Sequence, residues 1–497
     1  VAFIHAWLMR HTAVAARDSI GFIRYSLQLE SLPVEQVLRE SLQHPGYPAL
    51  IWLISQPVRY FTGTTPLGMQ FCAQLVSALA SILLVMPLYL LGRELFDRTT
   101  GFWGTLLFHC LPVGAHVMAD GLSEASYLLF ITASLYFGVR ALRSPSNWLF
   151  ALCGIMSGLA YLTRPEGALA AAALGIVLLG MQFYRSTRLP TAQVLKCGLC
   201  LIIGFVAVGG PYAWIIGGFT NKPTPNEMMK MAEAKTPPNQ LVGQPYAAPP
   251  GSTHLLVAVY APENLKNRLW WGIQAIATEV VRGYQYLPGI PVFFGIIWFR
   301  KRLRLIPGGW MVMVLCLLHA AVLWRLAIVV GYVSERHVLL LVMCGCFWGA
   351  AAMAMLGKQL SSRLTAAASA WPATLLLMAL VAFGLPETFK TLHANRAGHR
   401  AAGLWLAEHT LPVDPVVDPF CWAHYYSGRV FWEGKDLPLP PGHHVSQYAI
   451  IEQSDHDHIR LPTIAHSQEL AARGQAVYWW PENLPREEAK VCVYQVP

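Results

Sequence analysis

The sequence predicts an all-α polytopic membrane protein of about 11 transmembrane helices, followed by a small C-terminal α/β domain. Three observations predict it. Of 497 residues, 55% are hydrophobic and 13% charged, about half the charged share of a soluble domain. Apolar runs recur at the length a helix needs to cross a bilayer, roughly 17–25 residues. Basic residues stand in every second loop, the positive-inside arrangement of cytoplasmic connections.

The apolar runs are 67–92, 101–118, 122–141, 149–163, 167–184, 197–219, 284–299, 309–331, 337–357 and 367–386. The chain opens on Val, and Val1 to Ala16 read as the outer end of one more span. Basic loops carry Arg93 and Arg98; Arg140 and Arg143; Arg185, Arg188 and Lys196; Arg300 to Arg304; and Lys358 and Arg363. The formal charge of +9 is therefore distributed by topology, which argues against a nucleic-acid partner. Alternating sides places 17–66, the turns 117–122, 163–167 and 332–336, the segment 220–283 and everything after 386 outside.

Within 17–66, Arg24, Tyr25, Leu27, Leu29, Glu30, Val34, Val37 and Leu38 pattern as an amphipathic helix on the membrane surface. Residues 220–268 are rich in Pro, Lys and Asn and read as a flap rather than a folded unit. The spans and their loops form one domain, 1–386. The tail, 387–497, reads as an extracytoplasmic α/β domain, with strand-like runs at 415–417, 448–451 and 490–496 and helical patterns at 399–409 and 466–474.

Eight cysteines lie in apolar runs; Cys421 and Cys492 alone lie in the tail and could pair if that side is oxidising. Cys197 and Cys200 have CxxC spacing, but their place in an apolar helix reads as packing. Asp455-His456-Asp457-His458 and His443-His444 look like metal ligands, yet neighbouring residues of a short loop rarely converge on one ion.

Outer carboxylates are few and gather at the membrane exits. Asp18 follows Arg17. Asp120, Ser123 and Glu124 share one turn, Arg164 and Glu166 the next, and Glu335, Arg336 and His337 a third. Ionisable groups this close to hydrocarbon need a partner or a wet cavity. Structural readings exist for each turn: Asp120 and Ser123 as helix caps, Pro165 at a helix start, and Glu335–His337 as an interfacial anchor. Asp18 has the least structural reason to be an acid. Together these residues have the parts for group transfer from a lipid phosphate. One carboxylate is a general base, arginines meet phosphate, and an acid pair positions an acceptor or holds a divalent cation (Mg or Mn). His44, in His44-Pro45-Gly46-Tyr47-Pro48, sits in a rigid turn and reads as structural or substrate-positioning rather than as a metal ligand.

In their order along the chain, several stretches resemble the GT-C membrane glycosyltransferases that use polyprenyl-phosphate sugars. The resemblance is nearest to the branch of protein O-mannosyltransferases and aminoarabinose transferases. They are Arg17-Asp18-Ser19-Ile20-Gly21-Phe22-Ile23-Arg24-Tyr25, His44–Pro48, Leu90-Leu91-Gly92-Arg93-Glu94-Leu95-Phe96, Asp120-Gly121-Leu122-Ser123-Glu124 and, most distinctive, Gly158–Gly167. The resemblance covers about residues 15–340 and omits the tail. It implies Asp18 as catalytic base, with Ser19 where the family often has a second acid. It implies Asp120, Glu124 and His44 as acceptor- or metal-positioning residues, and Arg164, Arg336 and His337 at the donor phosphate.

The implied activity is inverting transfer of a monosaccharide from a polyprenyl-phosphate donor to an acceptor protein or glycolipid. Its place would be the outer face of a bacterial inner membrane. Two other classes stay open at this point: a secondary transporter, and a non-catalytic scaffold with a partner-binding tail. Against a transporter stand ionisable residues at one face rather than at the midplane, and no internal repeat.

Overall fold

The computed structural model describes residues 1–183, 190–222, 265–305, 307–364, 371–453 (except 434, 436 and 439) and 462–496. Among them, six helices are long and apolar enough to cross a membrane, and a bent pair can make a seventh span. Three shorter apolar helices, Asn147–Thr163, Pro165–Met181 and Gly289–Arg300, accompany them. The run at 101–118, expected as one span, is two helices, Arg98–Cys110 and Pro112–Ala119, meeting at 64°. Pro112 explains the break: it has no N–H to continue the first helix and is well placed to start the second.

The helices, in chain order, are α1 (Ala2–Arg10), α2 (Arg17–Ser31), α3 (Val34–Glu40), α4 (Gly46–Thr62), α5 (Pro66–Leu95), α6 (Arg98–Cys110), α7 (Pro112–Ala119), α8 (Glu124–Arg143), α9 (Asn147–Thr163), α10 (Leu169–Met181) and α11 (Thr191–Ile216). After the undescribed stretch come α12 (Leu265–Gly283), α13 (Gly289–Leu305), α14 (Pro307–Val330), α15 (Leu339–Leu364) and α16 (Trp371–Thr388). The expected flap lies outside the described residues except at its ends; α12 already begins at Leu265, inside the segment read as loop.

The loop 17–66 holds three helices, and the stretch read as one amphipathic helix is divided between α2 and α3. The apolar faces of α2 and α4 pack Ile20, Ile23, Tyr47 and Ile51 against Met69, Ala73 and Val76 of α5. A helix of α5's length spans ~45 Å. Its first residue, Pro66, accepts a hydrogen bond from Tyr425 of the tail. At its far end Glu94 accepts from Arg143 at 2.6 Å. Basic loops and outer turns thus stand at opposite ends of the bundle.

The tail contains α17 (Ala397–His409), α18 (Trp422–Tyr426), α19 (Pro462–Arg473) and a four-stranded sheet of β1 (Val416–Val417), β2 (Gln447–Glu452), β3 (Gln475–Trp480) and β4 (Val491–Val496). The strand order is β1-β2-β4-β3, with β1 parallel to β2 and the other pairs antiparallel. Strand β3, Gln-Ala-Val-Tyr-Trp-Trp, was not foreseen, although β-branched and aromatic residues favour such pairing. Cys421 and Cys492 are buried, free thiols. One immediately precedes α18 and the other lies within β4; no disulfide joins them.

Candidate active site

Four turns converge at one end of the bundle. Ala16 leads into α2, which puts Asp18 in the first helical turn, where a carboxylate suits the helix dipole. That is a structural reason for the acid which its sequence position did not reveal. Next to it, Gly121 turns the chain from α7 toward α8 at a φ of 69°. A side chain there would meet the Ser19 hydroxyl at 2.8 Å. Ser19 is thus a small residue packed on a neighbouring turn, which accounts for the lack of a second acid beside Asp18.

The site is built on ion pairs. Arg336 donates to the Asp18 carboxylate at 2.5 Å. Arg164, at the C-terminal end of α9, donates to Glu124 at 2.6 Å and stands 3.5 Å from Glu166. Between them lies a small recess whose walls include Glu124, Tyr127, Arg164, His319, Arg336 and His337. Burial favours the neutral form of Asp18, but Arg336, with Arg17 and Lys222, outweighs it and holds the carboxyl below its usual range. The Asp18 charge in turn raises Arg336.

Two contributors were not singled out from sequence. Lys222, just after α11, is buried enough for its ammonium to be pushed down. Glu166 and Glu124 oppose that shift, while the two guanidinium groups reinforce it. His319 donates from α14 to the carbonyl of His337 at 3.0 Å. An ionisable residue inside the run 309–331 was its signal; Lys222 was hidden in a polar, Pro-rich stretch.

Other expected residues lie elsewhere. Asp120 pairs with His393 of the tail at 2.8 Å, and its second oxygen is buried without a hydrogen-bond partner. Ser123 makes no side-chain cap on α8. Asp120 is engaged by His393 and Glu124 by Arg164, so the two acids face different partners. Among the described residues no three His, Cys, Asp or Glu side chains converge on one point. The run 455–458 lies outside the described residues, and His443 bonds Asp414 at 2.8 Å.

His44 is a clasp. Its ring bonds the Tyr161 carbonyl at 2.7 Å and Thr220 at 3.0 Å, and burial pushes its pKa down to about 4. Gly46 follows because a Cβ there would come within 2.7 Å of the Leu162 carbonyl. The His-Pro-Gly stretch thus seats α4 on the end of α9, next to Arg164. His337 faces the recess, but its Nδ1 is taken by Ser334 at 2.9 Å. Glu335 points away, toward Glu279 and Arg282.

Residues 44–209 match the family model of dolichyl-phosphate-mannose-protein mannosyltransferases. ArnT from Cupriavidus metallidurans, solved with undecaprenyl phosphate, superposes with a TM-score of 0.57 at 12% identity, covering 99% of this chain and 95% of that one. The fold is GT-C. The GT-C match includes the tail, beyond the segment that the family model covers. The apo oligosaccharyltransferase of Archaeoglobus fulgidus is also similar, at 15% identity and a TM-score of 0.48, over 89% of this chain. The chain spans 60% of the length of that relative. No curated protein matches the chain by sequence.

Proposed function

We propose that this protein is an inverting glycosyltransferase that moves a monosaccharide from a polyprenyl-phosphate donor to an acceptor protein or glycolipid. Its site and tail would face outward from a bacterial inner membrane. The observation that carries the reading is the Asp18–Arg336 pair beside a recess walled by Arg164, with Lys222 nearby. The family of the matched segment and the lipid phosphate held by the similar ArnT structure support the donor class. The basic loops at the opposite end support the sidedness.

In this reading Arg164, Arg336 and Lys222 hold the donor phosphate oxygens, the guanidinium forks giving paired donors and the ammonium a point charge. While Arg336 holds Asp18, the carboxylate is a poor base. A donor phosphate that competes for the guanidinium frees it. Asp18 then takes the proton of the acceptor's nucleophilic group, which bonds to the anomeric carbon from the face opposite the phosphate. The carbon–oxygen bond to phosphate breaks and its electron pair leaves on the polyprenyl phosphate. Orientation and fixed charge supply the acceleration.

The test is release of undecaprenyl phosphate by the full chain in proteoliposomes. The probes are undecaprenyl-phosphate mannose, glucose and aminoarabinose, each with a peptide or a lipid A acceptor. Transfer that Asp18→Asn abolishes is expected. Solute uptake by the same proteoliposomes with no sugar transfer would favour a transporter and sink the reading.

A further inference from the structure

The link His11–Ala16, which joins α1 to α2 and delivers Asp18, forms no helix or extended sheet of its own. Thr12, Val14, Ala15 and Ala16 are nevertheless buried, and buried backbone groups must find partners. They find them in the last quarter of the chain. The Ala13 N–H donates to the Leu392 carbonyl and the Leu392 N–H to the His11 carbonyl, both at 3.0 Å. Arg400 donates to the Ala13 carbonyl at 3.3 Å. The Ala15 amide is gripped on both sides by α18: its N–H donates to the Tyr426 hydroxyl at 2.7 Å, and its carbonyl accepts from the Trp422 indole at 2.8 Å.

The grip is anchored in turn. The Tyr426 hydroxyl donates to Gln70 of α5 at 2.7 Å, and Tyr425 donates to the Pro66 carbonyl at 2.6 Å. Asp418 accepts from the Phe420 and His424 amides at 2.9 and 3.1 Å, fixing the approach to α18. Just before Asp18, Arg17 donates to the Pro419 carbonyl at 3.3 Å, and beyond it Arg24 pairs with Glu433 at 2.7 Å. The tail therefore holds α2 both before and after the acid, with α5 as its foundation.

We propose that the tail is a brace for the base, with Tyr426 and Trp422 as positioning residues that set where the Asp18 carboxylate stands relative to Arg336. The proposal rests on Asp18 being the base. Ala15 precedes Asp18 by three residues, just ahead of the Ala16 that leads into α2, so a shift at Ala15 passes to the acid with little to absorb it. Transfer chemistry is sensitive to misplacement of about 1 Å. The tail thus contributes to the reaction without touching the substrate.

Tyr426→Phe and Trp422→Phe retain the aromatic packing; the first removes the bonds to Ala15 and Gln70, the second the bond to the Ala15 carbonyl. In the full-length protein in lipid nanodiscs, infrared titration of the carboxylate band that Asp18→Asn removes should report the change without any substrate. As Asp18 drifts from Arg336, burial prevails and the band should titrate at higher pH in both variants. Turnover of undecaprenyl-phosphate mannose, or of whichever donor is active, should fall about tenfold in kcat with KM within about twofold. An unmoved Asp18 titration in both folded variants would overturn the brace. Full activity in Asp18→Asn would instead overturn the base reading, and the infrared result would stand apart from it.

Discussion

The Asp18 carboxylate and the Arg336 guanidinium, 318 residues apart in the chain, meet at 2.5 Å. The pair sets the charge state of the proposed base. Because Arg336 holds the carboxyl below its usual range, Asp18 stays ionised to lower pH than an ordinary aspartate. Arg336→Gln leaves burial unopposed by its main counter-charge. The acid limb of the pH–rate profile should then move to higher pH. Turnover should fall about 10²–10³-fold from the lost phosphate contact. A profile that does not move would uncouple the two residues.

Arg164 carries a different burden. Its partner Glu124 is only 5% exposed in its side chain, so Arg164→Gln strands a buried charge at a cost of about 3–5 kcal/mol. Adding Glu124→Gln should restore most of the melting temperature. Binding of undecaprenyl phosphate should stay weak in the double variant. Recovery of binding together with stability would assign Arg164 a purely structural role.

His44 should matter for stability rather than turnover. Its folded pKa of about 4 lies below that of the unfolded chain, about 6.5, so the unfolded state takes up the proton first. The His44 contribution is therefore complete above pH 6.5 and declines as pH falls toward 4. His44→Asn should flatten that slope in thermal melts and lower stability by about 1–3 kcal/mol. Its kcat at pH 7 should remain within about twofold of wild type.

Asp120 and His393 join the α7–α8 turn to the tail outside the recess. His393→Ala leaves the buried Asp120 carboxylate without the imidazole that bonds it, and melting should register a loss of about 1–3 kcal/mol. A variant with an unchanged melting temperature but more than about 100-fold less turnover would place Asp120 in the reaction itself.

The membrane character and the acids and arginines gathered in a few turns were legible in the sequence because their signals are local: run length and charges beside hydrocarbon. Asp18, Glu124, Arg164 and Arg336 could be named on that basis. The break at Pro112 was also written locally, but an apolar run masks a bend. Strand β3 was passed over in a tail of mixed pattern.

Which charge meets which could not be read that way. Asp120 and Glu124 are neighbours on one turn, yet one turns to His393 and the other to Arg164. The partner of each is set by packing between helices distant in sequence. Lys222 gains its importance only because α11 returns it to the end of the bundle where Asp18 stands. By itself the sequence determined a membrane protein with a short set of candidate charges, since burial in lipid constrains composition segment by segment. The tertiary structure alone decided the pairing of Asp18 with Arg336 and the hold of Tyr426 and Trp422 on Ala15. Hydrogen bonds and ion pairs depend on positions within a few tenths of an ångström, and only the packed chain sets those.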